Sequence, residues 1–90
     1  MEVKQKQQLK GLAHSLKPIV MIGEKGLTEN VIIEIDLGLA SHELIKIKTP
    51  RLPKSDKKDM AETITKATKS ELVQVIGNIL VLYRKKPISE

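Results

Sequence analysis

The four residues Gly23-Glu24-Lys25-Gly26 lie between an apolar run that ends at Ile22 and a segment that opens with Thr28. This spacing suits a tight loop joining a strand to the N-terminus of a helix. Glycine lets another backbone come close, and the first N–H groups of a helix are donors without partners. Together they make a place for an anionic oxygen, phosphate above all. KH domains clamp a nucleic-acid backbone with a GxxG loop in this way. Lys25 adds a positive charge inside the loop, and Glu24 a negative one that opposes phosphate. A plain glycine turn needs the same residues, so the loop alone does not decide its use.

A second set of residues is basic. Lys6, Lys10 and Lys17 fall on one flank of a predicted first helix, and His14 lies beside them. Gly11 sits in the middle of that helix, where glycine costs about 1 kcal/mol relative to alanine; a gap there lets another backbone approach. Lys46 and Lys48 alternate with Ile45 and Ile47, which points both lysines away from the core side of a strand. A solvated face accounts for the helix lysines equally well, and His14 is as well suited to capping its helix as to donating to a phosphate.

Enzyme chemistry finds little to stand on. There is no cysteine, and His14 and His42 belong to different elements, so no metal-ligand cluster is expected. GxSxG, GxxxxGK[ST] and GxGxxG are all absent. Asp56, Asp59 and Glu62 gather in the first turns of a predicted helix, where acids complement the helix dipole. The reading is a binding module with no enzyme activity, no metal and no cofactor.

The aromatic content is one tyrosine, with no Phe or Trp. Surfaces that read RNA by stacking bases use several aromatics. Binding by this chain would rest on phosphates, 2′-hydroxyls and shape, with Tyr83 the lone candidate ring and a sheet position its simpler role.

The chain that must position these groups has 90 residues and a formal net charge of +5. That length suits one domain with a modest core, and the basic balance favours an anionic partner. No apolar run reaches the length of a membrane span, and the N-terminus lacks a signal-like apolar core. With no cysteine, the cytoplasm is the expected compartment.

Periodicity divides the chain. Leu9, Leu12, Ala13 and Leu16 give one apolar face to a helix over Val3 to Leu16, stopped at Lys17-Pro18. Ile19 to Ile22 reads as a short buried strand. Thr28 caps a second helix from Glu29 to Ser41, with Leu27 and Ile32 placed as a hydrophobic staple. Val31, Ile32, Ile35 and Leu39 form its inward face. Ile33, Leu37 and Ala40 lie nearly opposite: another helix covers them, or they are an exposed strip that contacts a protein partner.

Glu43 to Thr49 is a half-exposed strand. Pro50 and Pro53 hold a loop, and Ser55 or Asp56 caps a third helix over Asp56 to Lys69 with Met60, Ile64 and Ala67 buried. Glu71 to Ile76 and Ile79 to Arg84 form a hairpin about Gly77-Asn78. The expected fold is α/β, in the order α-β-α-β-α-β-β: a single mixed four-stranded sheet with three helices and with parallel neighbours across each strand–helix–strand unit. Residues 1–86 make the domain and 87–90 a loose tail.

Several blocks together resemble the bacterial YhbY proteins, the stand-alone form of the CRM domain found also in plant organelle splicing factors. They are Gln5-Lys6-Gln7-Gln8-Leu9-Lys10-Gly11-Leu12-Ala13-His14, Leu16-Lys17-Pro18, Gly23-Glu24-Lys25-Gly26-Leu27-Thr28, His42-Glu43-Leu44-Ile45-Lys46-Ile47-Lys48, and Val75-Ile76-Gly77 with Leu80-Val81-Leu82-Tyr83-Arg84. The resemblance runs over nearly the whole chain, in order. It implies an RNA-binding domain, a fold similar to the C-terminal domain of bacterial translation initiation factor three, and association with precursors of the large ribosomal subunit during ribosome maturation.

The expected RNA contacts are Lys6, Lys10, His14, Lys17, Gly23, Glu24, Lys25, Gly26, Thr28, Lys46, Lys48 and Arg84. The competing reading is an adaptor that docks on an acidic or ribosomal protein.

Overall fold

The structure, a computed structural model, describes residues 2–85. The elements are α1 (Val3–Ala13), β1 (Val20–Met21), α2 (Glu29–His42), β2 (Leu44–Lys48), α3 (Lys54–Thr68), β3 (Glu71–Ile76) and β4 (Ile79–Tyr83). The expected order and the single mixed sheet are both present. The tail expected at 87–90 lies outside the described residues. Among the described residues no helix is long and apolar enough to cross a membrane.

The sheet runs β1-β2-β4-β3. β1 and β2 are parallel, with Val20 opposite Ile47, and α2 forms the crossover between them. The same expectation fails for β2 and β3, because β4 folds back between them and pairs antiparallel to both. The composition of β4 explains this. Leu80, Val81 and Leu82 are all buried, so the strand needs cover on both faces and takes an inner position. β3, with Val75 and Ile76 partly exposed, takes the edge. Gly77 turns the hairpin at φ +53°, a conformation open to glycine without a Cβ penalty.

Helices cover the two faces unequally. Ile45, Ile47, Leu80 and Leu82, with Val20 and Ile22 from the β1 edge, pack on Ile35 and Leu39 of α2 and on Ala61 and Ile64 of α3. On the other face α1 alone sets Leu9 and Ala13 against Val73 and Val81. A bulge between Leu72 and Gln74 lets Val73 reach that small second core.

Three expectations about helices are corrected. α1 ends at Ala13, one turn early, and Leu12 is 64% and Leu16 38% exposed. Its buried face therefore narrows to Leu9 and Ala13. α3 starts at Lys54 behind Pro53, with no side-chain cap from Ser55 or Asp56. The proline fixes the entry, and its carbonyl accepts the Lys57 N–H at 3.0 Å. The buried stripe of α3 is Ala61, Ile64 and Thr68 beside a half-buried Met60, whereas Ala67 is exposed. Thr68 tolerates burial because its hydroxyl donates to the Ile64 carbonyl at 2.8 Å.

Candidate nucleic-acid interface

A groove of about 320 Å³ runs where the C-terminal half of α1 overhangs the sheet. Lys10, Gly11 and His14 form its helix wall, and Lys46, Gln74 and Ile76 its floor. The floor follows from register. Lys46 faces Val81 across the β2–β4 pair, and Gln74 faces Val81 from the other side, so both lie on the α1 side of the sheet. Lys46 is half-buried there, while Lys10 and His14 are exposed. Among the described residues the single ion pair is Arg84–Asp36, so no carboxylate neutralises Lys10 or Lys46. Nothing lies within 4 Å of where a Cβ on Gly11 would sit, which leaves the helix wall open at that point. Lys6 stands one turn before Lys10, extending the same side of α1.

A second basic hollow adjoins the β1 edge, lined by Lys17, Met21 and Lys48 among others. Lys48 pairs with Met21, and its carbonyl accepts the Ile22 N–H at 2.8 Å. The chain then enters the glycine loop directly. Gly26 N–H donates to the Gly23 carbonyl at 3.0 Å, closing a four-residue turn with Glu24 and Lys25 exposed at its corner. Gly26 takes φ +77°, the left-handed region that favours glycine.

Thr28 then caps α2 as expected. Its side-chain oxygen accepts the Val31 N–H at 3.2 Å and its carbonyl the Ile32 N–H at 3.0 Å. The N–H groups of Glu29 and Asn30, in the first turn, are left for an outside partner. Leu27 and Ile32 are both half-buried against the main core, as a staple requires.

The fold thus brings Lys10, His14 and Lys46 into one groove and Lys17 and Lys48 into its neighbour, with the Gly23–Gly26 turn following β1. It does not bring Arg84 to this set. The Arg84 guanidinium donates to the Asp36 carboxylate at 2.5 Å, the Asp36 carbonyl at 3.0 Å and the Thr68 carbonyl at 2.8 Å, tying the end of β4 to α2 and α3. Tyr83 packs on the small core under α1. Gln74 and Ile76 line the groove but were not anticipated. Period-two alternation in β3 would have placed those two on one face; the strand order that aims this face at α1 had no local signal.

Residues 1–84 match the CRS1 / YhbY (CRM) domain. A Haemophilus influenzae protein named as an RNA-binding protein is 51% identical over 84 residues, covering 93% of this chain and 85% of its own. Bacillus subtilis YqeI, also named for RNA binding, is 43% identical over 82 residues, covering 91% of this chain and 85% of its own. Among solved structures, the solution structure of the Staphylococcus aureus protein SAV1595, titled as a candidate RNA-binding protein, superposes with a TM-score of 0.87 at 46% identity. That match spans 100% of this chain and 94% of the other. With its fold, the order of its sequence blocks and these relatives in agreement, the chain belongs to the CRS1/YhbY (CRM) domain family.

Proposed function

We propose that this chain is a cytoplasmic RNA-binding module, without enzyme activity, that grips structured ribosomal RNA in precursors of the large ribosomal subunit during their maturation. The observation that carries the reading is the groove in which α1 and the sheet converge Lys10, His14 and Lys46 with no neutralising carboxylate among the described residues. Three unpaired hydrogen-bond donors converging from two rigid elements suit phosphate oxygens. Lys6 extends the same side of α1, and Lys17 and Lys48 continue the basic surface toward β1. Beyond them the Gly23–Gly26 turn, Lys25 and the α2 N-terminus offer a further approach for the phosphate backbone.

The names of the relatives support RNA as the ligand. The sequence blocks that resemble YhbY proteins support the ribosomal target. Arg84 is left out of the contact set because three of its five N–H groups serve Asp36 and Thr68, which fixes it at the α2–α3 side.

Co-sedimentation with large-subunit precursor particles, before and after nuclease treatment, tests the proposal. The expected result is nuclease-sensitive co-migration, with crosslinks from Lys10, Lys25 or Lys46 to ribosomal RNA. Co-migration that survives complete RNA digestion would instead establish the protein adaptor.

A further inference from the structure

α2 carries a strip of apolar side chains that no other element covers among the described residues. Ile33 is 53% and Leu37 62% exposed, and Ala40 is exposed beside them, while Ile35 and Leu39 on the reverse side are fully buried. α1 packs on the far face of the sheet, and α3 lies alongside α2 without shielding the strip. A contiguous, solvent-exposed apolar strip on a helix marks a contact site.

Its flanks say what kind of partner fits. At 100° per residue, Glu29 and Asp36 border the strip on one side, and Glu34 lies on the other, just past Asn30 and Ser41. α2 contains no lysine or arginine, in a chain of net charge +5. α1 is the reverse, with three lysines and no acid. Charge is therefore segregated, and beyond its N-terminal turn the α2 face repels a polyanion. Asp36 already shares its carboxylate with Arg84, and Glu29 and Glu34 have no ion-pair partner among the described residues.

A second copy of this chain fits poorly. A two-fold pair through this strip would set acid against acid, and three side chains fall well short of the roughly 20 residues a side in a stable interface.

We propose that the α2 face docks a cationic amphipathic helix of another protein. The apolar side chains of that helix would rest on Ile33, Leu37 and Ala40, and its lysines or arginines against Glu29 and Glu34. The inference stands on exposure and charge, independently of RNA binding on the α1 side.

The test titrates the full chain, labelled with ¹⁵N, with a synthetic helical peptide. The peptide carries leucines at i, i+3, i+4 and i+7 and lysine or glutamine elsewhere; a scrambled peptide of the same composition is the control. The amides of Ile33, Glu34, Leu37 and Ala40 should shift and saturate, and the scrambled peptide should bind about tenfold more weakly or worse. Leu37→Asn and Glu34→Lys should each weaken the patterned peptide by about tenfold while leaving RNA affinity unchanged.

Equal binding of both peptides, or shifts confined to other elements, would overturn the proposal. So would shifts of these amides on adding structured RNA alone, which assign the face to nucleic acid, or on raising protein concentration alone, which assign it to a second copy. If Leu37→Asn fails to fold, Glu34→Lys at the exposed flank still decides. A failure of RNA binding would leave the peptide result standing, so the two proposals fall separately.

Discussion

Lys25 and Glu24 share the corner of one exposed turn and differ in sign, which makes them a matched pair of probes. Lys25→Ala should weaken RNA binding and Glu24→Lys should tighten it, each by a few-fold, the scale of one partly screened charge near a phosphate. Equal affinity for both variants and the parent would place the turn away from the RNA. Arg84 separates structure from binding at the same scale. It makes three hydrogen bonds and one ion pair, but the Asp36 side chain is 53% exposed, so water screens much of the attraction. Arg84→Ala should cost about 1–2 kcal/mol in thermal or denaturant unfolding and leave RNA affinity in low salt within a few-fold of the parent. A loss of affinity with no loss of stability would return Arg84 to the binding surface. Its position could be read in the sequence but its role could not, because Asp36 lies 48 residues away and only the fold joins them.

Elements were legible where a local pattern fixed them. Thr28 with Leu27 and Ile32 marked the start of α2, and Gly77-Asn78 marked the hairpin, because caps and turns are written in adjacent residues. The ends of α1 and the start of α3 were misplaced where an apolar or capping pattern continued past the point of tertiary contact. Leu16 keeps the helical spacing but lies past the last helical turn, lining a hollow with Leu44 and Ile45, and Ser55 resembles a cap although Pro53 already sets the entry. Gly11 tests what α1 does. Its Cβ position is empty, so Gly11→Ala should raise stability by about 0.5–1 kcal/mol through helix propensity. The same methyl group narrows the wall of the lysine groove, and RNA affinity should fall. Calorimetry and a binding titration on the one variant read both effects; higher stability with unchanged affinity would move the RNA off this wall.

Over the whole molecule, strand order was the part that sequence patterns could not supply. The two runs of the hairpin differ, with Glu71 and Gln74 in β3 and an unbroken apolar run in β4, but the inner place of β4 also depends on distant helices covering both its faces. That placement, with the bulge at Val73, turns Gln74 and Ile76 toward α1 and completes the groove. The resulting molecule separates its charge, with lysines on α1 and β2 and acids on α2. The central claim is that the α1–sheet groove holds RNA phosphates, and the salt dependence of binding tests it most directly. Affinity for a structured RNA should be measured against salt concentration for the parent and for a Lys10→Gln, Lys46→Gln double variant, which removes two charges and keeps the apolar stems. If both lysines contact phosphate, the log–log slope should become shallower by about 1.4–1.8, with affinity lost for many RNA sequences alike. An unchanged slope, with folding intact, would contradict the account.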